Sequence, residues 1–219
     1  MHFRNREDAG RALAEPLRKY ARRSDVLVLA LPRGGVVVGF ELARELGVAL
    51  DVYLVRKLGT PGREELAMGA IASDGTRVMN DDVVAALGIT DGAIEHVAAA
   101  ESSELERRER IYRAGRAPID VRGRTVIVVD DGLATGASMR AAALALRARE
   151  PAQLIIAVPV APKQVCGELR AFADEVVCLD TLRSFRSVGS AYDDFSQTRD
   201  EEVCDLLARA PRAPAEHGA

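Results

Sequence analysis

Two rhythms of apolar residues alternate along this chain. Short, β-branched, largely apolar runs at residues 26–31, 50–55, 126–129, 153–158 and 175–179 have the length and continuity of strands buried on both faces. Between them the apolar positions take helical spacing. Leu13, Leu17 and Tyr20 share one face of a helix predicted over residues 7–22, and further helices are predicted around 37–46, 139–149, 162–173 and 200–209. Strands alternating with helices predict an α/β fold, a Rossmann-like parallel sheet with helices on both faces. Ligands then belong at the carboxyl ends of the strands, near a switch in strand order.

Residues 58–113 depart from this alternation. The Gly-Thr-Pro-Gly-Arg-Glu-Glu composition within residues 58–68 reads as an open loop, with short strands near 70–72 and 76–79. Asn80 starts a short helix ending near Gly88, and Thr90 with Asp91 caps a long one running to about Arg113. Glu104 with Arg108, and Glu106 with Arg110, are spaced to pair along it, so the arginines at 107, 108, 110 and 113 read as a solvated face, the alternative being a contact to an anion or a neighbouring subunit. The chain is expected to form a single domain over residues 1–210, followed by a flexible tail, rich in Pro, Ala and Gly, at 211–219.

The formal net charge of -3 gives no global argument for nucleic acid or an anionic membrane, so any anion affinity must be local. No stretch is long and apolar enough to span a bilayer and the first residues lack a signal-type apolar core, so a cytoplasmic location is expected. Cys166, Cys178 and Cys204 are odd in number, widely spaced and without a zinc-ligand pattern, and are expected to be reduced packing residues. With only three histidines, two of them near the termini, chemistry falls to Asp, Arg, Lys and backbone groups.

The richest segment is residues 125–138. Its apolar strand ends in Asp130 and Asp131, followed by Gly132, Leu133, Ala134, Thr135, Gly136, Ala137 and Ser138 and then an alanine-rich helix. Vicinal hydroxyls are well fixed by acceptor-only carboxylates, and a phosphate by backbone N–H groups at a helix start. A Walker A loop is excluded by spacing and by the missing lysine, and no Rossmann glycine fingerprint is present.

This segment resembles the phosphoribosyl-diphosphate (PRPP) signature of the type I phosphoribosyltransferases, in which two acidic residues and three variable ones precede Thr-Gly-Gly/Ala-Ser/Thr. The resemblance implies that family's fold with a small hood, here mainly residues 180–198 with N-terminal contributions. It further implies that Asp130 and Asp131 hold the ribose hydroxyls and that the loop from Leu133 to Ser138 wraps the 5′-phosphate. Mg²⁺ is the implied cofactor, met by Asp130 and Asp131 directly or through water or substrate.

By position in that family, Arg33, Gly34 and Gly35 after the first core strand would bind pyrophosphate, in a loop that often carries a non-proline cis peptide. Arg56 and Lys57 resemble the Arg-Lys stretch opening the flexible loop of adenine phosphoribosyltransferases, and Glu64 or Glu65 is a candidate acid on it. Phe185, Tyr192 and Phe195 fall in the hood, either as a stacking surface for a planar acceptor or as rings packed back on the core. Ala134 stands where hypoxanthine and guanine enzymes carry aspartate, which disfavours a 6-oxopurine acceptor.

The implied activity is Mg²⁺-dependent transfer of 5-phosphoribosyl from PRPP to an unidentified acceptor, a nitrogenous base being one candidate, with release of pyrophosphate. The alternative is a non-catalytic PRPP or nucleotide-binding regulator of the same fold; a phosphatase or hydrolase of phosphorylated ribosides is disfavoured for want of a nucleophile and base. The oligomeric state is open, with a homodimer as the candidate.

Overall fold

The computed structural model describes residues 1–113, 119–182 and 187–211. Five strands form a parallel sheet in the order β2-β1-β6-β7-β8: β1 Val26–Ala30, β2 Ala49–Val52, β6 Thr125–Val129, β7 Gln153–Pro162 and β8 Glu175–Leu182. Register follows from burial on both faces. Val28 lies opposite Ile127, and Ile127 opposite Ile155, so that this row faces one layer. Leu29, Val128 and Ile156 form the neighbouring row and face the other.

The first row packs beneath α1 (Arg6–Ala14), α2 (Gly34–Leu46), α4 (Asp91–Arg113) and α7 (Asp200–Arg209), with Leu13, Leu42, Leu46 and Val203 in its core. The second packs on α5 (Ala137–Arg147) and α6 (Lys163–Leu169) through Met139, Ala142, Leu146 and Leu169. A residue from each strand thus serves each core, which is why the strands read as continuous apolar runs.

Several boundaries move. The first helix ends at Ala14, because Pro16 cannot extend it, and only a 3-10 turn over Arg18–Tyr20 follows. Helix α2 starts at Gly34, so both glycines after β1 belong to its first turn. The expected open loop at 58–68 is instead a hairpin. Strand β3 (Val55–Thr60) and β4 (Arg63–Ala72) pair antiparallel, with β5 (Arg77–Met79) beyond. Pro61 and Gly62 make its turn, Gly62 taking φ 73°, and Leu58 and Met68 are completely buried beneath it. The short helix α3 spans Asp81–Leu87, capped by the Asn80 side chain.

Two expectations about side chains are corrected. Arg113 is not on a solvated face but buried, donating to Asp51 at 2.7 Å and to the Val52 carbonyl at 2.8 Å. Cys166 on α6 and Cys178 on β8 form a disulfide rather than two reduced thiols. Cys204 donates to the Ile111 carbonyl at 3.3 Å. The expected tail lies, from residue 212 onward, outside the described residues. No helix among those described is long and apolar enough to cross a membrane.

Candidate active site

Strand order fixes where a ligand can sit. From β1 the chain crosses to β2 on one side, whereas β6, β7 and β8 extend on the other. The switch therefore lies between β1 and β6, and the crevice opens beyond their carboxyl ends. The segment after β1 is Pro32 to Gly35, and the one after β6 is Asp130 to Ser138.

These segments touch closely. A β-carbon added at Gly34 would stand 2.6 Å from Asp131 Cγ and 2.7 Å from Arg6 Nε; at Gly35 it would stand 2.9 Å from Asp130 Cα. Both glycines are required for space rather than for backbone angle. The Pro32–Arg33 peptide bond is cis, as the family resemblance implies.

Asp130 Oδ1 accepts from the Asp131 N–H at 2.8 Å, and Asp131 Oδ2 accepts from Arg6 Nε at 2.7 Å. Burial, then the neighbouring Asp131 charge, pushes the Asp130 carboxyl well above the usual carboxylate range. Burial also raises Asp131, with Arg6 pulling against it. Two adjacent carboxylates with little water thus share one cation.

The loop beyond them splits into a buried floor and an open rim. Gly132, Leu133 and Gly136 are buried, while Ala134, Thr135 and Ser138 are exposed. The Leu133 N–H is spent on the Val160 carbonyl at 2.9 Å, which anchors the loop to β7. Helix α5 then starts behind Gly136 (φ 71°) with no side chain capping it, so its first N–H groups can face an anion. The Thr135 hydroxyl makes only a long 3.4 Å contact, to the Ala137 N–H.

A cavity of about 500 Å³ joins Asp130 and Ser138 to Pro32, Arg56, Lys57 and Glu64. Its far wall is α4, through Val97, Glu101, Leu105 and Arg108, so one arginine of the expected solvated run faces the site. Arg56 pairs with Glu101 at 2.5 Å. Arg33 is not drawn in; its guanidinium lies 3.8 Å from Asp200 at the start of α7. Of the two candidate loop acids, Glu64 lines the cavity, and the side chain of Glu65 lies outside those described.

The rings of the expected hood pack on one another. Tyr192 is buried, its hydroxyl donates to the Asp131 carbonyl, and its ring stacks on Phe195 at 5.1 Å. The Arg6 guanidinium lies 3.9 Å over the Phe195 ring. With Tyr192 and Arg6 against it, Phe195 acts as packing rather than as an open stacking surface. Phe185 lies outside the described residues.

The model of the phosphoribosyl transferase domain matches residues 2–194. The chain belongs to this family. Two putative phosphoribosyl transferases of Mycobacterium tuberculosis, from strains CDC 1551 and H37Rv, are each 46% identical over 217 residues, 99% of this chain. The chain spans about half the length of these curated relatives, covering 49% of each. The crystal structure of TT1426 from Thermus thermophilus is 42% identical with a TM-score of 0.89, covering 96% of this chain and 99% of that one.

For this phosphoribosyl transferase domain, sequence reasoning missed Arg6 and Glu101. Neither carries a local signal. Arg6 opens α1 just after its Asn5 cap, and Glu101 is one of several acids on an amphipathic helix. Only the fold reveals their partners, 125 and 45 residues away.

Proposed function

We propose that this chain transfers the 5-phosphoribosyl group of PRPP to an acceptor and releases pyrophosphate. The observation that carries the proposal is the placement of Asp130 and Asp131 between the uncapped start of α5 and the glycine pair after β1. The 5′-phosphate fits the rim from Ala134 to Ser138, the ribose hydroxyls fit the two carboxylates, and pyrophosphate fits the cavity wall of Arg56 and Lys57. The acceptor displaces pyrophosphate at the anomeric carbon, and positive charge grows on the ribose ring. One carboxylate about 4 Å away, at an effective dielectric near 20, contributes about 4 kcal/mol before desolvation. That is about a thousandfold in rate.

The donor set suits Mg²⁺ only as an ion shared with substrate. No cluster of three acidic, histidine or cysteine ligands exists among the described residues, but Asp130 and Asp131 supply the one or two carboxylates that Mg²⁺ takes beside substrate phosphates. When bound it would neutralise the leaving pyrophosphate. A cytoplasmic setting belongs to the same proposal, and the redox state of Cys166 and Cys178 in cells tests it, since disulfides are rare there.

A second reading, a non-catalytic PRPP or nucleotide sensor, draws on Arg56 and Arg33, which pair with Glu101 and Asp200. Calorimetric titration of PRPP with and without Mg²⁺, run beside Asp130→Asn, tests the binding site. Magnesium-dependent binding that weakens in the variant supports it, and absence of binding sinks it. Pyrophosphate release across an acceptor panel then separates enzyme from sensor.

A further inference from the structure

We infer that Arg6 is a positioning residue of the ribose site, holding the Asp131 carboxylate in place and joining the hood to it. This rests on the assignment of Asp131 to the ribose hydroxyls. Three contacts from three directions fix the guanidinium. Nε donates to Asp131 Oδ2 at 2.7 Å, Nη1 donates to the Ser196 carbonyl at 2.8 Å, and Cζ lies 3.9 Å from the centre of the Phe195 ring. The Arg6 side chain is 11% exposed and that of Asp131 is 15% exposed, so water competes poorly for the pair.

Arg6 takes one lone-pair site of Asp131, at Oδ2; an ionised carboxylate has about four, so capacity remains to accept from a hydroxyl. The backbone is held from the same side. Tyr192 donates to the Asp131 carbonyl, and Tyr192 packs with Phe3 and Ala191 in a small core. The Phe3 N–H donates to the Ala191 carbonyl at 2.9 Å, and the Asp193 N–H to the Phe3 carbonyl at 2.9 Å, so the N-terminal segment and the hood are tied together. Arg6 is the charged contact of that piece with the acidic pair.

A lysine would not replace it. A planar fork can bond a carboxylate and a carbonyl at once while its carbon stays against a ring, whereas an ammonium is a compact point charge. The pyrophosphate side of the cavity, at Arg56 and Lys57, has no part in these contacts.

The test is calorimetric, on the full chain with Mg²⁺ present, using PRPP and inorganic pyrophosphate as separate probes. Arg6→Met is expected to weaken PRPP binding about tenfold to a hundredfold, the range of a hydrogen bond to a charged group, while pyrophosphate binding stays within twofold. Arg6→Lys is read by the same criteria and serves if Arg6→Met does not fold. A PRPP loss below threefold overturns the inference, and so does an equal loss on both probes, which marks a merely structural role. If the wild type itself fails to bind PRPP, the phosphoribosyl-transfer assignment falls and takes Arg6 with it. A wild type that binds beside an Arg6 variant that binds equally well removes Arg6 alone.

Discussion

Gly34→Ala is the sharpest probe of how the two loops meet. In a helix, glycine to alanine normally stabilises by about 0.5–1 kcal/mol, and Gly34 is the first residue of α2. Here the new β-carbon would sit 2.6 Å from Asp131 Cγ and 2.7 Å from Arg6 Nε. Overpacking costs about 1–3 kcal/mol, and the Asp131 carboxylate can yield only by rotating away from Arg6. Breaking a buried pair costs about 3–5 kcal/mol, less here because the side chains keep some water contact. The net is a destabilisation of about 2–4 kcal/mol, a fall in Tm of roughly 5–15 °C for a chain of this size. Thermal and urea unfolding would measure it, in the wild type and in an Asp131→Ala background, where the carboxylate is gone and Arg6, 2.7 Å away but no longer paired with it, can shift aside, so the cost should drop below about 1 kcal/mol. A Gly34→Ala variant that is stabilised, or that costs the same in both backgrounds, refutes the close-approach argument.

Other consequences can be measured alongside. Asp130→Asn with Asp131→Asn should abolish PRPP turnover while circular dichroism stays native; undiminished PRPP consumption would remove the acidic pair from the site. The raised Asp130 carboxyl favours its protonated form in the folded state, so its stabilisation is full below the ordinary value of 3.8 and is lost as pH rises through the folded pKa. Asp130→Asn, neutral throughout, should therefore be more stable than wild type near pH 7, with the gain fading toward about pH 4 in urea titrations. Glu101→Gln frees Arg56 and should tighten magnesium pyrophosphate binding by about two- to fivefold, the worth of a partly exposed pair; an unchanged affinity would show that the pair does not hold Arg56 back. Tyr192→Phe leaves the Asp131 carbonyl without its donor and should cost about 1–2 kcal/mol in urea unfolding.

What could be seen in the sequence was what is encoded locally. The runs at 126–129 and 153–158 are apolar because both faces of their sheet are covered, and that alone predicts a parallel sheet. The acidic pair and its loop were visible because the groups that meet a sugar phosphate are contiguous in the chain. The hairpin was not, since its glycines and glutamates carry no alternation and its strands are held by Leu58 and Met68 against the body of the protein. Arg113 looked like surface charge and Arg6 carried no signal, because their carboxylates lie 62 and 125 residues away. Cys166 and Cys178 belong to different elements, and only the packing of α6 on β8 brings them together.

The chain-distant bracing of Asp131 sets an order of assembly. Arg6 meets its carboxylate across 125 residues and its carbonyl across 190, whereas β6 and β7 pair within a single crossover. Contacts that close such long loops bear a larger entropic cost and tend to form after the local ones. A refolding molecule should therefore pass through a stage with its sheet formed and its sugar site still slack. Amide protection in β6 and β7 would then return before ligand binding does, and a ribosome that has not yet passed Ser196 would still hold an incomplete site.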